Sequence, residues 1–488
     1  MTQTLRLVFV SLLSFLFSCG GGLDPEVIPY TTQDVQVDAS GPGDVGGPRL
    51  CVSGPNVYTV WHDDRRSGDR NQVFFNASRA GGSSWLVEQQ LSADTSGQTV
   101  AEHPDIACAG DSVYVVWEDD RDSDIGHKSI YFVYSTDGGD SWSENQRITD
   151  DPDGDFDALG PRIVVDYDLE VSSDQELSIA WYDDRRGAYD IYFTRGTNGY
   201  NFLPEEIRLD TDGPGSAYSA HPRLATDGRG GVFAVWEDSR AGGNDVYMNR
   251  SLDYGNTWLA SDVRIDSGDP AGNSDAFGIE IAVDSHVSPS AVYATWHDDR
   301  NGGRDIYLNS SSDGGLTWLS DAQRIDNDGE GVSDSFYPSI VVHDRRVLVA
   351  WHDDRDIGFD IWSRGSDNGG ATWSSEVRLD TDVAGSAHSL GVRLARDGNR
   401  VAAVWSDHRQ GAASTGDTHP DLYYSVSQDE GYIWSDQEQR IDDDPDNTAI
   451  SDQPQVVLAG PSLYVLWIDY RSGNSDLWFR RVSSSESR

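Results

Sequence analysis

One pattern, Trp-x-Asp-x-Arg, recurs eight times in this 488-residue chain, and no copy is broken. Its tryptophans are Trp61, Trp117, Trp181, Trp236, Trp296, Trp351, Trp405 and Trp467, each with Asp two places on and Arg two beyond that. A period of roughly 55 to 65 residues, filled with short β-type runs and turn residues, dictates a ring or array of small sheets rather than one large core. The repeat runs almost from end to end without a linker, so the chain reads as one closed repeat domain.

Repeat four resolves the unit. A short strand begins at His221-Pro222-Arg223, and Asp227-Gly228 with Gly230-Gly231 turns the chain into a second alternating run, Val232 to Trp236. Asp238 to Gly243 is a polar loop, Asp245 to Asn249 a third strand, and a turn ending at Trp258 leads to a fourth that closes on Val263-Arg264-Ile265-Asp266. Four antiparallel strands in this length make one propeller blade. Repeat eight stops after its third strand, Asp476 to Phe479, and its missing partner is present at the other end, where Val35-Gln36-Val37-Asp38 matches Ile207-Arg208-Leu209-Asp210. The expectation is an all-β, eight-bladed propeller over residues 34–482, closed by that N-terminal strand, with 483–488 as a Ser-rich tail.

The charge balance narrows the partners. With 36 basic and 83 acidic residues the formal net charge is −47, a field that opposes nucleic acid and anionic lipid. Lys128 is the single lysine, so nearly all positive charge is arginine, the side chain suited to planar pairing with carboxylates. At the N-terminus, Arg6 and an apolar run from Leu7 to Phe17 precede Ser18-Cys19 and three glycines. The run is too short to span a bilayer. It resembles a bacterial lipoprotein signal, which implies removal of residues 1–18, lipidation of Cys19, a tether over 19–33 and, with Gly20 after the cysteine, residence at the outer membrane. Cys51 and Cys108 fall at the fourth and fifth positions of equivalent first strands, so side-chain alternation points them to opposite faces. Two separate buried thiols are expected rather than a disulfide.

The turn after the third strand has the form Ser-x-Asp-x-Gly-x-Thr/Ser-Trp in Ser135–Trp142, Ser251–Trp258 and Ser311–Trp318. Near matches carry Asn368 in repeat six and Ile433 in repeat seven, while Ala80 replaces the Asp in repeat one and repeat three is degraded between Arg195 and Phe202. The repeated turn resembles the Asp-box (BNR repeat) of sialidase-like propellers, and the Trp-x-Asp-x-Arg stretch resembles repeats in periplasmic Tol-system propellers. In such folds the Asp-box braces a hairpin and lies away from the active face. A sialidase would also need an arginine triad, a tyrosine nucleophile assisted by Glu, and an Asp acid. That set is not legible here, and no other linear catalytic motif is present.

Three groups of residues remain as candidates. The repeated Asp and Arg of the motif read as salt bridges that order loops. The Asp-rich connections, Asp151, Asp153, Asp155 and Asp157 in one and Asp326 and Asp328 in another, present hard oxygens suited to Ca²⁺, against solvated turns as the plainer alternative. The first-strand position that follows proline in six repeats breaks the symmetry: it is Arg49, Asp105, Arg162, Arg223, Glu280, Ser339, Arg393 and Gln455 through the eight. Arg162 and Arg223, in adjacent blades, are the expected pair for an anionic ligand, with Arg49 and Arg393 elsewhere on the ring. The functional expectation is a lipid-anchored, monomeric propeller that binds a glycan or protein ligand without catalysis. An exo-acting glycosidase of sialidase type and a structural envelope protein are the alternatives. Cys19→Ala should move the protein from the membrane to the soluble fraction on fractionation; unchanged partitioning would rule out the lipid anchor.

Overall fold

The computed structural model describes residues 33–483 apart from 40, 42, 66–69, 93–97, 151–153, 167–174, 198, 204, 410–418 and 446–447. The signal segment, Cys19, Asp151 and Asp153 lie outside the described residues. Eight antiparallel sheets form the ring, seven with their strands in chain order from the channel outward and the eighth with the N-terminal strand outermost, and no helix occurs among the described residues. In blade four the strands are Ser219–Thr226, Val232–Asp238, Asp245–Ser251 and Val263–Arg264. The outer strand is only two residues long, which leaves little unpaired edge. Blade three adds a fifth short strand, Asn201–Phe202, where its turn sequence is degraded. Closure is as expected from the chain ends: Val35–Gln36 pairs antiparallel with Phe479 and Trp478 of blade eight.

The Trp-x-Asp-x-Arg motif acts within each blade. All eight tryptophans are fully buried, and in seven blades the indole N–H donates to the Asp two places on, at 2.9–3.4 Å. The other oxygen of that Asp accepts the backbone N–H of the Arg at 2.7–3.1 Å in every blade. The guanidinium folds back on the same carboxylate and lies over the third-strand ring, for example 3.9 Å from the centre of Tyr247 and 4.2 Å from that of Trp362. Its far side reaches the outer strand, at Asp262 (2.7 Å) in blade four and Glu376 (2.6 Å) in blade six. One arginine therefore joins three strands. In blade eight that role falls to Arg471 with Asp34 (2.9 Å), so the ion pair also clasps the ring closed.

Blades stack through the conserved turns. Ser135, Asp137 and Ser141 close the turn of blade two with hydrogen bonds of 2.5–2.9 Å. Its Gly139 (φ 90°) faces Phe75 of blade one so closely that a Cβ would sit 2.3 Å from the ring. Trp142 packs edge-on against the same Phe75 at 4.8 Å, and is half-buried between blades rather than enclosed in its own.

The expectation of two separate thiols is overturned: Cys51 and Cys108 form a disulfide, with Cα atoms 6.1 Å apart. Opposite parity in the two strands is the reason. Blades stack face to face, so a side chain on one face of blade one meets a side chain on the other face of blade two, and both cysteines pack into one inter-blade core.

Two outcomes are expected. Deleting residues 35–38 should strip the edge from blade eight, giving a lower melting temperature by calorimetry and aggregates by size exclusion; a truncated chain that melts like the parent would mean the ring closes otherwise. Replacing both Cys51 and Cys108 by Ser should lower stability in denaturant titration by about 2–4 kcal/mol, the usual worth of a staple closing a loop of this size.

Candidate functional site at the mouth of the channel

Each inner strand lines the channel and carries a bulge near its start, just before the varied position, as the register shifts between Gly46 and Arg49 or between Ala220 and Arg223 show. The shift recurs in all eight blades. The first bulge residue is left-handed throughout, and its identity alternates. It is Gly47, Gly160, Gly278 and Gly391 in the odd blades, and His103, His221, Tyr337 and Gln453 in the even ones, with φ between 45° and 66°. In blades one, three and five the residue after the motif Trp covers the glycine: His62 lies over Gly46 and Gly47, Tyr182 over Gly160 and His297 over Gly278, whereas in blade seven the space over Gly391 is open. In even blades the bulge residue itself projects into the mouth. The sequence signal for these residues is the alternation of Gly with a larger residue at this position, usually before proline.

Two even blades make the same pair. Nδ1 of His103 lies 3.0 Å from Glu118 and Nδ1 of His221 lies 2.9 Å from Glu237, with both carboxylates buried and both imidazoles more than half exposed. Lys128 bridges Glu102 and Glu118 beside the first pair. Across the mouth, blades five to seven present an aromatic arc in which His297 meets Phe336 and Tyr337, and Phe359 meets His352 and His388, with ring centres 5.2–5.5 Å apart. Burial pushes His62, His297 and His352 down to about 4, so these three are neutral side chains at ordinary pH.

Below the bulges the four sequence-singled arginines meet in one cavity. Arg49, Arg162, Arg223 and Arg393 all line a 310 Å³ space with Glu280, Ser339 and Gln455. Arg49 and Arg393 come from blades one and seven, away from the adjacent pair, yet reach the same cavity, because the channel is narrow enough for opposite blades to share it. Three of the guanidiniums turn to acids at their own level rather than to the acidic loops. Arg49 pairs with Asp105 (3.3 Å), while Arg223 (3.8 Å) and Arg393 (3.4 Å) share Glu280. Asp105 also accepts the backbone N–H of Ile163 (3.0 Å). Arg162 hydrogen-bonds only the carbonyl of Pro161 (3.2 Å) among the described residues. Burial and the neighbouring Arg223 lower its pKa to about 10.

Of the Ca²⁺ candidates, Asp326 and Asp328 have carboxylate oxygens near enough to Asp305 of the third strand to share one ion, all within 4.8 Å of one another. All three contact one guanidinium nitrogen of Arg324, at 2.9 Å for Asp305 and Asp326. Asp155 is exposed, and Asp157 accepts the Lys128 backbone N–H (2.9 Å) and contacts His127 (3.1 Å). A larger recess of 770 Å³ lies along the outer rim of blade seven beside Trp434 and Glu438, away from the channel. Its Glu438 is already paired with Arg409.

No family model matches the chain, and no curated protein matches it. Solved structures do. A polysaccharide lyase, an ulvan lyase bound to -[GlcA(1-4)Rha3S]-, superposes with a TM-score of 0.51 at 10% identity, over 81% of this chain and 96% of that one. This chain shares the propeller fold of that enzyme. A Trypanosoma rangeli sialidase in complex with sialic acid also matches, at 11% identity over 95% of this chain and 92% of the other, but its TM-score of 0.38 is too low to bear on function.

Proposed function

We propose that the protein recognises an anionic glycan at the channel mouth, with a carboxylate of the saccharide held by Arg162 and Arg223. The observation that carries this reading is Arg162, a channel guanidinium whose single hydrogen bond among the described residues goes to the Pro161 carbonyl, beside Arg49, Arg223 and Arg393. Asp105 and Glu280 oppose these four cations at the same level, which leaves positive potential at the centre of a chain of net charge −47. A planar guanidinium fork suits a carboxylate, and the aromatic arc of Phe277, Phe336 and Tyr337 gives sugar rings an apolar wall. The glucuronate-containing ligand of the ulvan lyase that shares this fold is consistent with the same chemistry. Lipidation at Cys19 would hold the site at the outer membrane.

A sialidase-type hydrolase is the weaker reading because the mouth carboxylates are engaged. Glu118 serves His103 and Lys128, Glu237 serves His221, and Glu280 serves two arginines. A purely structural envelope role predicts no saccharide ligand at all. In titration calorimetry, Arg162→Ala or Arg223→Ala should weaken binding of polyglucuronate by about 1.5–3 kcal/mol, the range for hydrogen bonds to charged groups. Binding of its carboxyl-reduced neutral counterpart should be unchanged; equal loss for both polymers would mean a disrupted loop instead.

A further inference from the structure

Two of the left-handed bulge residues, His221 (φ 54°) and Tyr337 (φ 45°), flank a single recess of 430 Å³. Side chains are held in this backbone region only where the surroundings over-determine them, and such positions gather at working sites. Gly278 lies between the two, and a Cβ there would press on Tyr337 (3.2 Å) and His297 (2.9 Å), so the glycine keeps the recess open. Gly278 and Tyr337 also border a 380 Å³ cavity that contains Arg223, Glu280 and Arg393, which places the channel guanidiniums at the edge of the recess. Glu237, buried behind the half-exposed His221, accepts from Nδ1, which in the neutral ring leaves the lone pair on Nε2.

We infer that His221 and Tyr337 form an acid–base pair that cleaves a 4-linked uronate by β-elimination, with the substrate carboxylate on Arg223. The inference rests on the anionic-glycan reading above. Nε2 of His221 takes the proton from the carbon bearing the carboxylate, and the electrons of that C–H bond form a double bond to the neighbouring carbon. The bond from that carbon to the glycosidic oxygen breaks, and the departing oxygen takes the hydroxyl proton of Tyr337. Proton return from the imidazolium to the phenolate through solvent restores the site. The products are an unsaturated uronate and a free sugar hydroxyl, with no oxidant, reductant or water consumed. Arg223 stabilises the charge that builds on the carboxylate as the proton leaves.

Hydrolysis would instead need two carboxyl groups flanking the bond, and Glu237, at the recess, is committed to His221. The second pair, His103 with Glu118, is followed in its strand by Asp105 where His221 is followed by Arg223, so its blade supplies no arginine at that position for the carboxylate.

The test uses the full-length protein with polyglucuronate, polygalacturonate and alginate, each followed by calorimetry for binding and by ultraviolet absorbance for the unsaturated uronate. His221→Asn is suited to the left-handed backbone and Tyr337→Phe keeps the ring, so both should melt like the parent. The expected result is absorbance growth with the parent on a polymer it binds, and a loss of roughly 100- to 10,000-fold in each variant with binding retained. Binding without any unsaturated product, new reducing ends without absorbance, or full activity in both variants would overturn the inference while leaving recognition intact. No binding to any of the three polymers would overturn the recognition reading and the inference together.

Discussion

The buried carboxylate of Trp-x-Asp-x-Arg is the contact on which the ring depends. A desolvated Asp is costly unless every lone pair is used, and here the indole, the Arg backbone and the Arg guanidinium use them. Because the same Arg covers the third-strand ring and reaches the outer strand, a two-residue outer strand can hold its place without a long ladder of hydrogen bonds. Eight repetitions of one local solution build a wall stiff enough to hold left-handed residues at the channel mouth. That stiffness lets His221 and Tyr337 stay in a backbone region that a free chain would leave.

Symmetry and its breaking divide the work. The Asp, Arg and Trp of the motif do not vary and serve the fold, whereas the inner-strand positions vary and face the channel. The alternation of glycine with His103, His221, Tyr337 and Gln453 gives the ring a two-blade period at its mouth. In one half this leaves titratable pairs, and in the other an aromatic arc. The acid-rich surface and the cationic channel are equally opposed. Most arginines are consumed by neighbouring carboxylates, as Arg324 is by Asp305, Asp326 and Asp328, and Arg162 stands apart from that pattern.

The blade, the number of blades and the closing strand were legible in the sequence, because each depends on local spacing that the repeat states eight times. The four channel arginines were legible as a varied first-strand position, after a proline in three of the four, since variation inside a strict repeat marks the residues the fold does not need. What only the tertiary structure decided was which of these residues meet. Facing sides of adjacent blades brought Cys51 to Cys108, although parity within a single strand argued against it. The width of an eight-bladed channel brought Arg49 and Arg393 into the cavity of Arg162 and Arg223. Third-strand Asp305 joined Asp326 and Asp328 around a guanidinium, a convergence no linear spacing encodes. The pairing of His221 with Glu237 and its approach to Tyr337 two blades on follow from a bulge that turns the backbone left-handed, a geometry set by ring packing rather than by the residues' own preferences.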